Sequence, residues 1–266
     1  MKYLQNAVNF TIKNWMLIIP LFALMALASL IQGAGSALSL GTITSLANLD
    51  NFTSAEAIFS LIPVVLAATI GSGIVSLIAQ FIYQPATYGL VNKSLETGSA
   101  SLNDIGAAIS GNFVKYVMYF VGTLVVNLVL GIASVLLMLI MVLLVSILKG
   151  VGIALMVLVI IALILFFIVF GVLTSFWFTA MVIDGLDVVG AFKKSIEVVK
   201  SCFWTVLGIT LLVGIVAGIA GTILSFLNAI PLLGPIILAA IPAIQAFVMI
   251  VFSIMVYREM TGKASA

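Results

Sequence analysis

The fold of this chain is decided by residues 116–183, which read YVMYFVGTLVVNLVLGIASVLLMLIMVLLVSILKGVGIALMVLVIIALILFFIVFGVLTSFWFTAMVI and carry a single charge, Lys149. About 20 apolar residues cross the hydrocarbon core of a bilayer as a helix. This stretch is therefore long enough for two spanning helices joined by a tight turn at Lys149-Gly150. A soluble protein has no interior that could bury so long an apolar segment.

The rest of the chain has the same character. Apolar residues make up 64% of the 266 residues and charged residues 7%, against about 45–50% and about 25% in soluble domains. Most of the chain lies in five uncharged runs, residues 14–49, 57–92, 116–148, 150–183 and 201–257. They predict six spans, roughly 15–32, 58–83, 116–140, 155–182, 203–227 and 235–257. We predict an all-α polytopic membrane protein, a single integral membrane domain over residues 1–266.

The basic side chains predict how the chain is oriented. If the N-terminus is cytoplasmic, nine of the ten lysines and arginines fall on the cytoplasmic side, and only Lys149 falls outside. Such a bias is typical of the positive-inside rule and predicts that both termini are cytoplasmic. A cleaved signal peptide stays open as an alternative for the first apolar run, because Lys2 and Lys13 precede it.

Three segments outside the spans have the pattern of amphipathic helices. In residues 186–203 the apolar side chains recur at steps of three and four. Residues 101–115 repeat this pattern and open with a capping box, Ser101 to Asp104; the first 15 residues show it more weakly. Each segment leads into a span through aromatic residues, which favour the membrane–water interface. We therefore predict three helical hairpins, each preceded by a cytoplasmic-side amphipathic interfacial helix.

The amphipathic segments also suggest an internal repeat. The sequence LNDIGA at 102–107 matches LDVVGA at 186–191, which predicts repeats over 1–83, 101–182 and 186–257. Convergence stays open, because any connector beside a membrane becomes amphipathic. Two other segments complete the outline: a short helix over 85–98 that ends at Gly98, and one sizeable outer loop over 33–57.

These segments carry a family resemblance. The sequences YGL at 88–90, ETG at 96–98, NDIGAA at 103–108 and DGLDVVGAFKKS at 184–195, followed by Phe203-Trp204, resemble the membrane domain attached to some prokaryotic glycerophosphoryl diester phosphodiesterases and related stand-alone six-span proteins. The likeness is best over residues ~80–210. In the fused members the hydrolase is a separate soluble barrel that needs histidines and metal-binding carboxylates. The resemblance therefore implies a six-span architecture in a prokaryotic plasma membrane, without the hydrolase activity.

The residue inventory excludes several kinds of chemistry. The chain has no histidine and a single cysteine, Cys202, so Cys/His zinc sites, histidine-containing triads and disulfides within the chain are excluded. Gly71-Ser72-Gly73 could be a serine-protease nucleophile turn, but its serine lacks a histidine base and we interpret it as a packing surface. We predict no catalytic residues, no cofactor, no metal and no nucleic-acid partner.

Uncharged polar residues remain inside the predicted spans, which hold no ionisable side chain away from their ends. This pattern argues against a proton relay, a charge-coupled transporter or a voltage sensor. Asn127 and Gln245 fall near the middle of spans three and six. They could hydrogen-bond to each other between helices, or line a cavity on a substrate path.

Two further groups of residues are candidate contact sites. Small residues on one face of span five predict close helix packing, most simply with span six, and a homodimer face stays open. Three lysines of the last amphipathic segment are candidates for contact with anionic lipid head groups. The packing residues are Gly214, Gly218 and Gly221, and the lysines are Lys193, Lys194 and Lys200.

Together these features predict a non-catalytic integral membrane protein, a scaffold or accessory subunit that interacts with membrane lipids or other membrane proteins. The alternative is a transporter or permease component for an uncharged or amphiphilic solute such as a lipid or peptide, which repeats and proline-broken helices favour. A third hypothesis is an enzyme with carboxylates at the cytoplasmic surface, whose signature would be metal dependence abolished by Asp184→Asn.

Overall fold

The structure is a computed structural model that describes residues 2–32, 55–230 and 232–263, with the backbone alone for residues 55–72. Within these ranges the regular structure is helical and no strand occurs. In chain order the helices are α1 (Lys2–Lys13), α2 (19–32), α3 (Ala55–Thr97), α4 (Ile105–Leu148), α5 (Gly150–Leu173), α6 (Trp177–Asp184), α7 (Val188–Leu224) and α8 (Leu233–Met260).

Six helical segments among the described residues are long and apolar enough to cross a membrane. They are Trp15–Gln32, Gly73–Thr97, Leu102–Leu148, Gly150–Asp184, Val188–Ala229 and Leu233–Met260. Within the described residues this finding confirms the predicted helical structure with six apolar helices, which indicates a multi-pass membrane protein. The predicted outer loop over 33–57 falls, apart from the first residues of α3, outside the described residues.

The chain divides into two compact units. The first unit comprises Met1–Phe113 and Thr210–Phe252, and the second comprises Val114–Ile209 and Ser253–Ala266. Helices α4, α7 and α8 each contribute residues to both units. The boundaries of these two units differ from those of the three predicted repeats. The repeats stay a prediction.

In the first unit, α3 absorbs the short helix that the sequence predicts over 85–98. The helix continues through Pro85 to Thr97 and ends at Gly98, whose φ of 79° is the left-handed conformation expected of a residue that follows a helix. The segment after Pro85 is buried; Leu90, for example, is 0% exposed. Packing therefore outweighs the local signal for a helix break.

The connection from α3 to α4 is held by one carboxylate. Asp104 accepts a hydrogen bond from the backbone N–H of Ser101 at 2.9 Å, and this contact is part of the predicted capping box, which is present. Its other carboxylate oxygen accepts from Lys93 Nζ at 2.8 Å. The end of α3 is thus tied to the beginning of α4.

The second predicted amphipathic segment, 101–115, is continuous with the span that follows it. Helix α4 runs unbroken for 44 residues, roughly 66 Å at the usual rise, because no proline or glycine lies between residues 112 and 121. The third segment, 186–203, differs. Helix α7 bends at Cys202, where φ is −129° and ψ is 23°, one residue before the predicted segment ends.

The contact between α3 and α4 predicts the effect of enlarging Gly89. A Cβ at this position would lie 2.7 Å from Ala108 Cβ and 2.9 Å from Ala108 Cα, so Gly89→Ala must push the two helices apart. We expect a loss of about 1–3 kcal/mol in the free energy of unfolding, as for other overpacked positions. The measurement is reversible unfolding in mixed detergent micelles.

The matched control is Gly106→Ala, in the first turn of α4, where an added Cβ meets nothing within 4 Å. This variant should be as stable as the wild type or slightly more stable, because alanine favours helix more than glycine does. Equal stability of the two variants would contradict close packing at Gly89.

Candidate functional sites

The first unit contains an apolar cavity of about 300 Å³ between α1, α7 and α8. Leu4 and Val8 of α1 form one wall, Val213 and Ala217 of α7 a second, and Ile244 and Gln245 of α8 a third. Gln245 carries the only polar side chain among the lining residues. We call this space the α1–α7–α8 cavity; it is partly open to the surroundings of the protein.

The two polar residues that the sequence places near mid-membrane belong to different units. Gln245 is half-buried and lines the α1–α7–α8 cavity in the first unit. Asn127 is exposed on α4, in the part that belongs to the second unit. A hydrogen bond between the two amides stays a prediction. The other interpretation was that these residues line a cavity, and Gln245 does lie at a cavity wall.

A smaller and more polar cavity of about 170 Å³ lies between α2, α3 and α8, also within the first unit. The side chain of Gln32 donates a hydrogen bond to Ser76 Oγ at its wall. Proline has no N–H, so Pro242 leaves one carbonyl of α8 without its helical partner. The side chains that can hydrogen-bond in this α2–α3–α8 cavity are Ser29, Gln32, Ser76, Gln80 and Tyr83.

In the second unit, the predicted span 155–182 is broken into α5 and α6. Residues 174–176 form a turn between the two helices. Ser195, which is 0% exposed on α7, donates its hydroxyl proton to the Leu173 carbonyl at 2.8 Å. The same hydroxyl oxygen accepts from the Phe176 N–H at 3.1 Å. One side chain thus satisfies two backbone groups that the break releases.

An aromatic cluster holds the broken helix against its neighbours. The Trp177 indole N–H donates to the Val188 carbonyl at 2.8 Å, and its ring meets the Phe192 ring with centroids 4.8 Å apart. On the other side the Tyr119 ring makes an edge contact at 5.5 Å. Gly122 of α4 leaves room for this arrangement, because a Cβ there would lie 2.6 Å from Val188 Cγ1.

Asp184, at the end of α6, has both carboxylate oxygens engaged. Tyr257 donates its hydroxyl proton to one oxygen at 2.6 Å, and Lys263 Nζ lies 2.7 Å from the other. Tyr257 is fully buried, so these contacts fasten the end of α8 to the end of α6. In the described part of the chain, no group of three or more His, Cys, Asp or Glu side chains could hold a metal ion.

The other predicted contact residues are three glycines and three lysines of α7; Gly218 is exposed, whereas Gly214 and Gly221 are half-buried. A Cβ built on Gly214, Gly218 or Gly221 meets nothing within 4 Å, so no described residue approaches these three positions closely. Packing of span six on this face stays a prediction. Homodimer formation through the same face stays a prediction.

The three lysines of α7 differ in their surroundings. Lys193 and Lys200 are exposed, whereas Lys194 forms an ion pair with Glu197 at 3.0 Å. By helical spacing alone, Lys193 or Lys200 could also be the partner of Glu197. Lys194 lies three residues before Glu197 and therefore shares its helix face in the same way. Contact of these lysines with lipid head groups stays a prediction.

Sequence reasoning misses the α2–α3–α8 cavity and the role of Ser195. The polar residues that line this cavity come from distant parts of the chain, on α2 and α3, and no local pattern groups them. For the helix break a signal exists, since Thr174-Ser175 interrupts an otherwise apolar run before three aromatic residues. Its partner on α7 cannot be found without the tertiary structure.

The comparisons with known proteins identify a family without a described activity. The family model "Domain of unknown function (DUF7847)" matches residues 16–261, and the chain belongs to this family. No curated protein and no solved structure matches the chain. Nothing in the family match links the chain to the membrane domains of glycerophosphoryl diester phosphodiesterases, and that resemblance stays a prediction.

The clamp at the α5–α6 break predicts the effect of Ser195→Ala. Removal of the hydroxyl leaves the Phe176 N–H and the Leu173 carbonyl without this partner in a buried place. We expect the free energy of unfolding to fall by about 1–3 kcal/mol. The control is Ser110→Ala, whose exposed hydroxyl bonds only to the Ala107 carbonyl of its own helix. An unchanged midpoint for Ser195→Ala in detergent unfolding would rule out the clamp.

Proposed function

We propose that this chain is a non-catalytic integral membrane protein, a scaffold or accessory subunit that acts through membrane lipids or partner membrane proteins. The proposal is carried by the uncovered apolar surface of α4 and α5. In the most apolar 18 residues of the segment Gly150–Asp184 no residue is buried. In the most apolar 18 residues of Leu102–Leu148 only 6% are buried. Lipid or the helices of a partner must cover this surface.

The α4–α5 pair is nevertheless closely packed at its own turn. A Cβ on Gly152 would lie 2.6 Å from Val145 Cα, so the two helices approach each other there as closely as their backbones allow. We therefore treat the outer faces of α4 and α5 as one continuous apolar surface. We infer that partner helices add to this pair instead of separating it.

Small residues indicate where a partner helix would bind in preference to lipid. Lipid tails are as apolar as leucine side chains, so helix association in membranes depends on close packing at small residues. Gly131 of α4 is one such position, and the face with Gly218 on α7 is another. An added Cβ at either glycine meets nothing within 4 Å, which leaves space for a neighbouring backbone.

The finer architecture belongs to the same proposal. We propose three helical hairpins, each preceded by an amphipathic helix at the cytoplasmic interface of a prokaryotic plasma membrane. Two features support it: α1 is a separate amphipathic helix before the first span, and α7 bends at Cys202. Lys193 and Lys200 would then face lipid head groups. The resemblance to the phosphodiesterase membrane domains supports this architecture and not a hydrolase activity.

A second candidate function is transport of an uncharged or amphiphilic solute. The α2–α3–α8 cavity favours it, because hydrogen-bonding side chains surround a space next to a proline inside a helix. The break between α5 and α6 also suits it, since transporters use discontinuous helices near their substrates. A solute retained by the purified protein in the absence of any protein partner would favour transport over the scaffold role.

Isolation of the protein in native lipid discs tests the scaffold role directly. We expect a protein partner, or a second copy of the chain, at a fixed ratio by mass spectrometry. Gly131→Leu and Gly218→Leu should each reduce its recovery, because a leucine side chain holds the partner helix away from the close-packing position.

The matched control is Gly208→Leu. This glycine also has open space at its Cβ, but it lies about 100° around α7 from the face that contains Gly218. Partner recovery should be unchanged in this variant. If the wild-type chain is recovered alone with bulk lipid, the scaffold role is wrong.

The proposed orientation is tested by labelling introduced cysteines. Cys202 is buried, so the wild type should give little background with a membrane-impermeant maleimide. We expect Lys149→Cys to be labelled in intact cells, and Lys193→Cys only after the cells are permeabilised, because the positive-inside rule places residue 149 outside. The reverse pattern would contradict cytoplasmic termini.

A further inference from the structure

The α1–α7–α8 cavity is walled by three helices of one compact unit, yet the protein's own side chains leave it empty. Val8, Val216 and Ile244 line it and are 37%, 58% and 50% exposed. Its volume of about 300 Å³ is at the lower end of the range for small-molecule pockets. An empty apolar space of this size beside a bilayer is accessible to membrane-soluble molecules.

The walls restrict what can occupy the cavity. No charged residue lines it, and every lining side chain except Gln245 is apolar. A charged ligand would leave water without any compensating contact, which is costly. The occupant therefore has an apolar body. Because α7 and α8 are spanning helices, such a molecule enters from the bilayer and not from the aqueous phase.

Gln245 indicates a second property of the occupant, a group that can form a hydrogen bond. Its amide has two N–H donors and one carbonyl acceptor, and within the described parts of the chain it forms no hydrogen bond. A polar group left without a partner in apolar surroundings is unfavourable. A hydroxyl group on the occupant can both donate to the carbonyl and accept from the N–H, and a ketone or ester carbonyl can accept. A plain hydrocarbon chain can do neither.

We propose that the α1–α7–α8 cavity is a binding site for an uncharged amphiphile, a molecule with a single apolar chain and one hydroxyl or carbonyl group that hydrogen-bonds to Gln245. This site goes beyond the scaffold role, because it requires no protein partner. It is also distinct from the open glycine faces, since none of their glycines is among the residues that line the cavity.

Photolabelling with two matched probes tests this site. The protein is placed in discs of phosphatidylcholine and exposed to a hexadecanol that carries a diazirine in mid-chain, or to the same alkane without the hydroxyl. We expect the alcohol to label the cavity walls about tenfold more than the alkane, the ratio that corresponds to ~1.4 kcal/mol. Unlabelled oleyl alcohol should compete with it.

Variants separate the hydrogen bond from the cavity itself. Gln245→Leu keeps the bulk of the side chain and should bring labelling by the alcohol down to that of the alkane. Ala217→Phe fills the cavity and should abolish labelling by both probes. The control Ala133→Phe makes the same change at an exposed position of α4 and should leave labelling unchanged.

Two outcomes overturn the proposal. Equal labelling of the wild-type cavity by the alcohol and the alkane means that bulk acyl chains fill it without selection. Preference for the alcohol that persists in Gln245→Leu means that Gln245 is not the recognising group. Competition by oleyl alcohol in the wild type tests the site even if Ala217→Phe does not fold. Neither result depends on whether a protein partner is found in native discs.

Discussion

The whole structure depends on one constraint, that no water reaches the hydrocarbon core to hydrogen-bond the backbone. Uninterrupted helices satisfy it, and α4 does so over its full length of 44 residues. Where a helix is interrupted, another group must supply the missing bonds. At the α5–α6 break Ser195 does so from α7. The packing of α7 against the break is therefore fixed by a hydrogen-bond requirement as well as by aromatic contacts.

The sequence predicted the number of apolar segments and their helical type because length and apolar content are properties of single segments. Five of the six predicted spans overlap the corresponding observed segments almost entirely, and α3 contains the remaining one. Continuity between segments was harder to predict. Pro85 and the polar residues near it favour a break, but the break is absent because this part of α3 is buried. Burial depends on residues distant in sequence, which no local pattern contains.

The same distinction explains what could be predicted of the sites. Gln245 was identified from its polarity in an apolar run, and it lines a cavity; Asn127 has the same local signal but lies exposed on α4. A polar residue in an apolar span can thus be recognised from the sequence, but the residues that surround it cannot. Gly214 and Gly218 show the converse. Their spacing predicts close approach of another helix, but a Cβ at either position meets no described residue within 4 Å.

The apolar side chains of α1 have two different surroundings. Leu4 and Val8 are one turn apart and both line the cavity. Ile12 continues the same stripe but is 67% exposed, and Trp15 just beyond it is 57% exposed. The cavity wall therefore ends between Val8 and Ile12. In the proposed architecture the last turn of α1 faces lipid, since the indole ring of Trp15 favours the membrane–water interface. If α1 lies at the interface as proposed, an amphiphile that enters the cavity beside it would pass this exposed turn, and the same helix would form both the cavity wall and the border with the bilayer.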